Sequence, residues 1–349
     1  MVVDKSSGEV VYQDNAGSPR KPASVLKLIT AAAAYTYLSP SDSYTTSLWQ
    51  GQDSKTVVIQ GSLDPWISYD HKVATKMKRT SLSAIEWSAI QYLQQNNSSL
   101  KGTRILYSNL FPQDIEVIKK YLKFRKVDIS LKQSTPSTAL SQSSTIISTS
   151  TSPQLSRIID WTLTWSDNLL ADRIARAAAG KAGFTRDFSG AEGAFKKLLT
   201  DLNIDSTSLV VKDGSGLSKA NRVTAIQISQ LLMALSRDPK FDSLLKGLPI
   251  GGVTGTMGER FIETAPWAVG LVRAKTGTLN GTTNLAGFID SGEHEYIFVV
   301  ISDHHSKSYT VTKRVRATVD RILGKIANPL LPEIPFLPPV EESSTATTP

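Results

Sequence analysis

The chain has 349 residues, enough to bury a substantial core, and it lacks cysteine, which excludes disulfide bonds, thiol catalysis and thiolate metal sites. Its net charge of +8 comes from basic residues spread along the chain, without an Arg/Lys block or interleaved aromatic residues. This pattern indicates general basicity and no nucleic-acid partner, and no apolar run approaches the length of a transmembrane helix.

Short apolar runs separated by turn residues open the chain. Val2–Asp4 and Val10–Tyr12 are predicted strands, joined by a turn at Ser6–Gly8. The stretch "PASVLKLITAAAAY", residues 22–35, then predicts a helix, because Pro22 suits a helix start and the alanine run favours helical structure.

The middle of the chain, from Ser47 to Ser150, is rich in Ser, Thr, Gln and Lys and is interpreted as an insertion. "KTVVIQG" and "TRILYSNL" predict strands. "TSLSAIEWSAIQYLQQ" predicts a helix, because Leu82, Ile85 and Ala89 recur at helical spacing. "KQSTPSTALSQSSTIISTSTSP", residues 132–153, is predicted to be a polar linker or loop.

Helices return after Ser152 in "PQLSRIIDWTLTWSDNLLADRIARAAAG", "GAEGAFKKLLTDLNI" and "AIQISQLLMALSRD". Strands follow in "GLVRAKTGTLNG", "TTNLAGFID" and "EYIFVVISD", and turns at Asn280–Gly281 and Ser291–Gly292 predict antiparallel hairpins. A final amphipathic helix is expected to pack on that sheet. Its predicted apolar face consists of Val311, Val315, Val319, Ile322 and Ile326.

Strands at both ends of the chain, around a helical middle, predict one α+β domain whose sheet uses both ends. We expect a discontinuous catalytic domain over residues 1–48 and 150–326, with residues 49–149 as a smaller inserted domain. The Pro/Ser/Thr-rich residues 327–349 are predicted to be a disordered tail.

Four Ser-x-x-Lys patterns compete for the role of a nucleophile and its base. They are Ser18–Lys21, Ser24–Lys27, Ser98–Lys101 and Ser243–Lys246. Ser24 and Lys27 share one face of the predicted helix, so their side chains can meet. The stretch alone fits a helix-capping serine and a surface lysine equally well.

Two further motifs decide among these patterns. Ser166-Asp167-Asn168 is the single Ser-x-Asn of the chain, and Lys275-Thr276-Gly277 is the single Lys-Thr-Gly. Together with Ser24 and Lys27 they follow the order of the three motifs of penicillin-binding proteins and serine β-lactamases. One of the other candidate serines follows Ser-Asp-Asn, in the wrong order, and two lie in polar loops. Ser24 is therefore the predicted nucleophile.

The chain most closely resembles the DacB-like D-alanyl-D-alanine carboxypeptidases/endopeptidases, the class C low-molecular-mass penicillin-binding proteins. The segments that carry this resemblance are "PASVLKLITAAAA", "SDNLLAD", "VKDGSGLSKANRVTA", "LPIGGVTGTMGERF" and "VRAKTGTLNGTTNLAGFI". The resemblance implies a penicillin-binding-protein/β-lactamase-like transpeptidase fold, an antiparallel sheet flanked by helices. Thr254 stands where the family often has Asp, and the insertion is shorter than in larger members.

The chemistry of these motifs assigns roles to their side chains. A serine hydroxyl needs an adjacent base, and a lysine can act as one when burial and a second cation lower its pKa. We expect Ser24 to be the nucleophile and Lys27 its general base, with Lys275 as the second cation. Ser166 is expected to pass a proton to the leaving amine, and Asn168 to hold the substrate amide.

The Lys-Thr-Gly strand is expected to bind the substrate. Lys275 is expected to present positive charge near the terminal carboxylate, with Thr276 and Thr278 as hydrogen-bond donors, although plain β-propensity also explains these threonines. Gly277 lets the strand approach the substrate closely. The resemblance implies that the backbone amides of Ser24 and Thr278 form the oxyanion hole.

These observations predict a serine-type D-Ala-D-Ala carboxypeptidase, with endopeptidase action as a second activity, that cleaves peptidoglycan stem peptides through a Ser24 acyl-enzyme. β-Lactam antibiotics are the expected inhibitors, and no cofactor or metal is predicted, because the histidine pair at residues 304–305 lacks a spaced third ligand. A β-lactamase is the nearest alternative, although Asp172, Asp187 and Glu192 lack the context of a deacylating Glu. The other alternative is a non-catalytic scaffold protein that binds the cell wall.

The expected substrate lies outside the cytoplasmic membrane, so we expect a periplasmic, cell-wall or secreted protein. Met1 leads directly into a predicted strand, and no export signal is visible. We therefore expect the open reading frame to begin upstream; the alternative is a protein that stays in the cytoplasm.

Overall fold

The computed structural model of the chain describes residues 1–327, which form ten strands and eleven α-helices. The strands are β1 (Val2–Asp4), β2 (Val10–Tyr12), β3 (Thr45–Gly51), β4 (Thr56–Gln60), β5 (Thr103–Ser108), β6 (Ile129–Gln133), β7 (Ser143–Thr151), β8 (Val272–Leu279), β9 (Thr282–Asp290) and β10 (Glu295–Ser302). The helices are α1 (Lys27–Tyr37), α2 (His71–Met77), α3 (Leu82–Asn96), α4 (Pro112–Phe124), α5 (Pro136–Ser141), α6 (Leu155–Trp165), α7 (Asn168–Lys181), α8 (Phe188–Asp201), α9 (Ala225–Arg237), α10 (Asp242–Lys246) and α11 (Tyr309–Ala327). None of the helices in this part of the chain is both long and apolar enough to cross a lipid bilayer.

The first sheet joins the two ends of the described chain. Its strand order is β2-β1-β10-β9-β8, and all neighbours are antiparallel. Gly281 and Gly292 turn the two hairpins with φ of +75° and +79°, values that favour glycine. Helix α1 packs on one face of this sheet and α11 on the other. The predicted α+β class, with an antiparallel sheet flanked by helices, is confirmed.

Small residues bring α1 and α7 together. Residues 31–34 of α1 are alanines, each at most 4% exposed, and α7 contributes Ala175 and Ala178 to the same core. Side chains of this size let two helices pack at short distance. Because α1 begins at Lys27 and α7 at Asn168, this packing brings the starts of both helices to one place.

A second sheet, with order β6-β5-β4-β3-β7, spans residues 45–151 and has its own hydrophobic core. The β4–β5 and β5–β6 pairs are parallel, and the others are antiparallel. Helices α3 and α4 cover this sheet with apolar residues such as Ile90 and Ile118. The division into domains at residues 48 and 150 stays a prediction.

Two expectations for local structure were wrong. Residues 132–153 are not a linker, because they contain the end of β6, helix α5 and strand β7. Strand β7 is one edge of the second sheet, and seven of its nine residues are Ser or Thr, which carry little apolar signal. On α11, Ile322 is 53% exposed, whereas Val319 and Leu323 are buried. Of the predicted tail, residue 327 ends α11 and residues 328–349 lie outside the described part of the chain.

Arg173 connects helix α7 with the segment that contains the second sheet. Its buried guanidinium donates hydrogen bonds to the carbonyls of Pro65 and Ile67, at 3.1 and 2.8 Å, and to the hydroxyl of Tyr69 at 2.8 Å. It also forms an ion pair with Asp114, which is equally buried. These partners all belong to the segment that contains the second sheet, so α7 is held on it by charge-assisted hydrogen bonds.

Replacing Arg173 with Ala is expected to lower the free energy of unfolding by about 3–5 kcal/mol, because it leaves Asp114 as an unpaired buried charge. Urea denaturation followed by tryptophan fluorescence measures this loss. Arg104→Ala is the control, since it breaks an ion pair with the half-exposed Asp53 and should cost less than about 1 kcal/mol. Equal losses in both variants would contradict the assigned role of Arg173.

Candidate active site

Strands β8 and β9 hold Ser24 in a fixed turn. Ser24 lies in the 3-10 turn Ala23–Leu26 that leads into α1. The side-chain amide of Asn284 donates to the carbonyl of Pro22 at 2.7 Å. A Cβ atom at Gly277 would lie 2.8 Å from the same carbonyl, so only glycine lets β8 approach this closely.

Lys27 is fully buried and contacts three neighbouring elements. Its Nζ donates to Ser24 Oγ at 2.9 Å, to Asn168 Oδ1 at 2.8 Å and to the backbone carbonyl of Ser215 at 2.7 Å. A lysine ammonium has three donors, and each has an acceptor here. The amine is thereby held beside the Ser24 hydroxyl.

Burial lowers the pKa of Lys27 from 10.5 to about 8, against the opposing charges of Asp172, Asp213 and Asp167. Desolvation disfavours the charged form of an amine, which is the direction a lysine base requires. The amine therefore titrates close to the pH at which a general base works best.

The Ser-Asp-Asn motif forms the tight turn between α6 and α7. Ser166 ends α6 in the left-handed region, with φ of +60°. The carboxylate of Asp167 caps α7 by accepting from the Leu170 amide at 3.1 Å. Asn168 is then the first residue of α7 and faces Lys27. A strained, non-glycine backbone of this kind is common in functional sites.

The loop of residues 213–218 supports the nucleophile from the other side. Asp213 accepts hydrogen bonds from the amides of Ser215 and Gly216, at 3.1 and 2.6 Å. Gly216 has φ of +85°, and a Cβ there would lie 1.8 Å from the carbonyl of Ala23. Ser215 contributes a backbone carbonyl to Lys27, a role that no side-chain pattern in the sequence reveals.

Ser24 and Ser166 line a common cavity of about 250 Å³, together with Thr276 and Thr278. The other lining residues are Thr256, Arg260, Thr283, Asn284 and Arg316. A larger groove of about 790 Å³ adjoins it along β8 and α11. The structure therefore brings residues of all three sequence motifs to one cavity.

Lys275, which the sequence predicts as a second cation near Lys27 and as a positive charge near the substrate carboxylate, lies away from solvent. Its side chain is fully buried, does not line the cavity, and donates to the backbone carbonyl of Thr276 at 3.0 Å. Burial, with the charge of Lys27 as a second cause, lowers its pKa well below the ordinary value. The charge of Lys27 thus contributes to the lowered pKa of Lys275. The lowered pKa of Lys27 itself comes from burial.

Sequence reasoning gave no role to five of the side chains that line the cavity, and two of these five hydrogen-bond to the Lys-Thr-Gly strand. Thr256 Oγ1 lies 2.8 Å from Thr276 Oγ1, and Arg316 Nη2 donates to Thr278 Oγ1 at 3.1 Å. Thr256 lies in "LPIGGVTGTMGERF", one of the segments that carry the family resemblance. Arg316 had no signal, because a basic residue on an amphipathic helix is ordinary surface composition.

Comparison with known proteins gives the same result as the motifs. The chain matches the D-Ala-D-Ala carboxypeptidase 3 (S13) family over residues 1–90 and 113–326. It belongs to that family. A carboxypeptidase DacB of Mycolicibacterium smegmatis is 38% identical over 144 residues, covering 40% of this chain and 31% of the relative. This S13 family chain thus spans about a third of the curated relative's length.

Solved structures extend the likeness to the whole fold of this S13 family chain. Penicillin binding protein 4 (dacB) of Haemophilus influenzae superposes with a TM-score of 0.70 at 17% identity, covering 94% of this chain and 95% of that one. A predatory peptidoglycan endopeptidase of Bdellovibrio bacteriovorus gives 0.60 at 14% identity, covering 93% and 91%. The predicted penicillin-binding-protein fold is confirmed.

Acylation of Ser24 is expected to depend on pH through Lys27. The base must be neutral to accept a proton, so the rate should rise with pH and level off above about pH 8. The rate of labelling by a fluorescent penicillin, measured between about pH 6 and pH 10, tests this expectation. Circular dichroism at each pH controls for unfolding. A rate that is flat or falls over this range would exclude Lys27 as the base.

Lys27→Arg is expected to slow acylation at least about 100-fold, because arginine keeps the charge but has no accessible neutral form. Lys197→Arg on α8 is the matched control, since its ammonium pairs with Asp201 at the surface and should leave the rate unchanged. Near-normal labelling of the Lys27 variant would transfer the role of base to Lys275 acting through Ser166.

Proposed function

We propose that this chain is a serine D-Ala-D-Ala carboxypeptidase that cleaves peptidoglycan stem peptides through an acyl-enzyme on Ser24. The observation that carries the proposal is the 2.9 Å contact between Lys27 Nζ and Ser24 Oγ. It combines a nucleophile with an adjacent buried base, which is what acyl transfer by serine requires. Membership of the S13 family supports the same reaction.

The proposed mechanism follows from this geometry. Lys27 removes the proton of Ser24 as its Oγ attacks the carbonyl between the two D-alanines. Asn168 accepts from Lys27 through Oδ1, so its Nδ2 is available to donate to the substrate amide. The proton taken up by Lys27 is returned through the Ser166 hydroxyl to the leaving amine, the C–N bond breaks and D-alanine departs. Water then hydrolyses the ester on Ser24 and restores the hydroxyl.

Substrate orientation is assigned to strand β8. Thr276 and Thr278 line the cavity with hydroxyl groups, and Gly277 keeps the strand close to the turn of Ser24. We assign the oxyanion hole to the backbone amides of Ser24 and Thr278. Preorganised amides of this kind stabilise the charge that develops in the transition state.

Endopeptidase action is the second candidate, because the cavity does not end at the scissile bond. The groove that adjoins it at Thr278 has a volume of about 790 Å³ and continues past Asn280. It offers space for a leaving group larger than a single D-alanine. The structural likeness to a peptidoglycan endopeptidase agrees with this use of the groove.

The positions of the carboxylates disfavour a β-lactamase. Asp172 accepts from the amide of Gly214 at 2.9 Å, Asp187 caps α8, and Glu192 pairs with Lys196. The cavity around Ser24 is lined by none of these three, so they offer no base for a deacylating water. The buried lysine beside Ser24 likewise argues against a non-catalytic scaffold, because burying an amine is costly without a function.

We place the action of this protein outside the cytoplasmic membrane, where peptidoglycan stem peptides occur. The substrate class alone carries this assignment. β-Lactams are the proposed inhibitors, since they present a strained amide and a carboxylate in the arrangement of D-Ala-D-Ala. A β-lactam complex has been solved for the related penicillin binding protein 4 of Haemophilus influenzae.

A fluorescent penicillin is expected to label the protein stoichiometrically and persistently, because the leaving amine stays tethered to the acyl group. Peptide mapping by mass spectrometry should place the added mass on Ser24, and Ser24→Ala should abolish labelling while the circular dichroism spectrum is retained. Rapid turnover of the drug would identify a β-lactamase. A folded protein that no β-lactam labels would support the scaffold.

Two further serines serve as matched controls for the labelling. Ser243 begins another Ser-x-x-Lys pattern but lies in α10, where its hydroxyl is 2.9 Å from that of Tyr35. Ser98 lies in the loop after α3. Ser243→Ala and Ser98→Ala should both be labelled like the wild type. Loss of labelling in either variant, with folding intact, would overturn the assignment of Ser24.

A further inference from the structure

The proposed substrate ends in a carboxylate, and a binding site for it calls for an accessible cation. Lys275 does not meet this requirement, because it is fully buried and does not line the cavity. Its Nζ donates to the backbone carbonyl of Thr276. The Lys-Thr-Gly strand therefore contributes hydroxyl groups to the cavity but no exposed charge.

Two guanidinium groups line the cavity, and their surroundings differ. Arg260 is held by Asp320, whose two carboxylate oxygens accept from Arg260 Nε at 2.9 and 3.0 Å. Its charge is thus compensated. Among the described residues no carboxylate forms an ion pair with Arg316, which extends from α11 into the same cavity. Arg316 is therefore the guanidinium of this cavity that no carboxylate of the described residues pairs with.

The contacts of Arg316 also orient the hydroxyl groups around it. Arg316 Nη2 donates to Thr278 Oγ1 at 3.1 Å, so this oxygen acts as an acceptor and its own proton is available to a ligand. Thr276 Oγ1 lies 2.8 Å from Thr256 Oγ1. The guanidinium and the threonine hydroxyls form a donor set on one side of the cavity that matches a carboxylate.

We propose that Arg316 binds the terminal carboxylate of the peptide substrate and selects chains that end in a free carboxyl group. This inference rests on the proposed function and adds a specificity-determining residue to it. Arginine suits the role because its planar fork donates two parallel hydrogen bonds to a carboxylate. Peptides that end in a carboxamide would lose the charge-assisted contact and bind poorly.

The test compares two synthetic peptides that differ only at the C-terminus, one ending in D-Ala-D-Ala with a free carboxylate and one ending in its carboxamide. The wild type should cleave the carboxylate peptide with roughly 10- to 100-fold higher kcat/KM. Arg316→Gln should lower kcat/KM for the carboxylate peptide by about the same factor and leave the carboxamide peptide unchanged. Arg316→Lys should recover part of the preference.

Arg314→Gln is the matched control, because Arg314 is exposed on the same helix and does not line the cavity. It should keep the full preference for the carboxylate. If Arg316→Gln keeps that preference, or lowers kcat/KM for both peptides equally, the inference is overturned. Lys313 lines the adjoining groove. If Lys313→Gln loses the preference for the carboxylate and Arg316→Gln keeps it, the carboxylate binds in that groove and the inference is also overturned.

Binding to a catalytically inactive protein separates this inference from the proposed function. In the Ser24→Ala background, calorimetry should detect the carboxylate peptide, and adding Arg316→Gln should weaken that binding by roughly 10- to 100-fold. Arg316-dependent binding without any cleavage by the wild type would support the inference and overturn the carboxypeptidase. Cleavage with a preference that is independent of Arg316 would overturn the inference alone.

Discussion

The structure of this site depends on the burial of one amine. Lys27 Nζ lies where the turn of Ser24, α7 and the loop of residues 213–218 meet, and each of these segments supplies it with one acceptor. An amine without such partners would be costly to bury, so the three segments have to converge for the fold to be stable at this point. Convergence in turn places the side chains of Ser24 and Asn168 around the same amine. The requirement that stabilises the lysine also assembles the catalytic groups.

Helix α7 extends this constraint to the second sheet. It begins with Asn168 at the site, and Arg173, in its second turn, reaches into the segment that carries the second sheet. The buried ion pair with Asp114 fixes the helix from that side. Interfaces held by a buried charge pair tolerate little displacement, because separating the partners leaves unpaired charges. The second sheet thus supports the geometry of the site without contributing a residue to the cavity.

The sequence predicted those features that leave a local signal. The Asn280–Gly281 turn marked a hairpin through its positive-φ glycine, and the three motifs marked the side chains that we propose as catalytic. Edge strand β7 was missed, because exposed Ser and Thr residues look like a loop. Arg316 was missed because the sequence does not reveal which side of α11 faces β8, and its contact with Thr278 depends on that. The burial of Lys275 was missed as well, since motif spacing reveals which residues meet and not which of them lose contact with solvent.

The environments of Lys27, Lys275 and Arg316 explain why the site uses two kinds of basic residue. A proton acceptor has to lose its charge readily, which burial achieves for a lysine amine and cannot achieve for a guanidinium. A carboxylate ligand needs a charge that persists and stays accessible, which suits an arginine at the cavity wall. Solvent exposure separates these functions: both lysines are buried, whereas Arg316 lines the cavity and contacts Thr278. A substrate bound in the cavity would meet Ser24, activated by Lys27, at its scissile carbonyl and Arg316 at its terminal carboxylate.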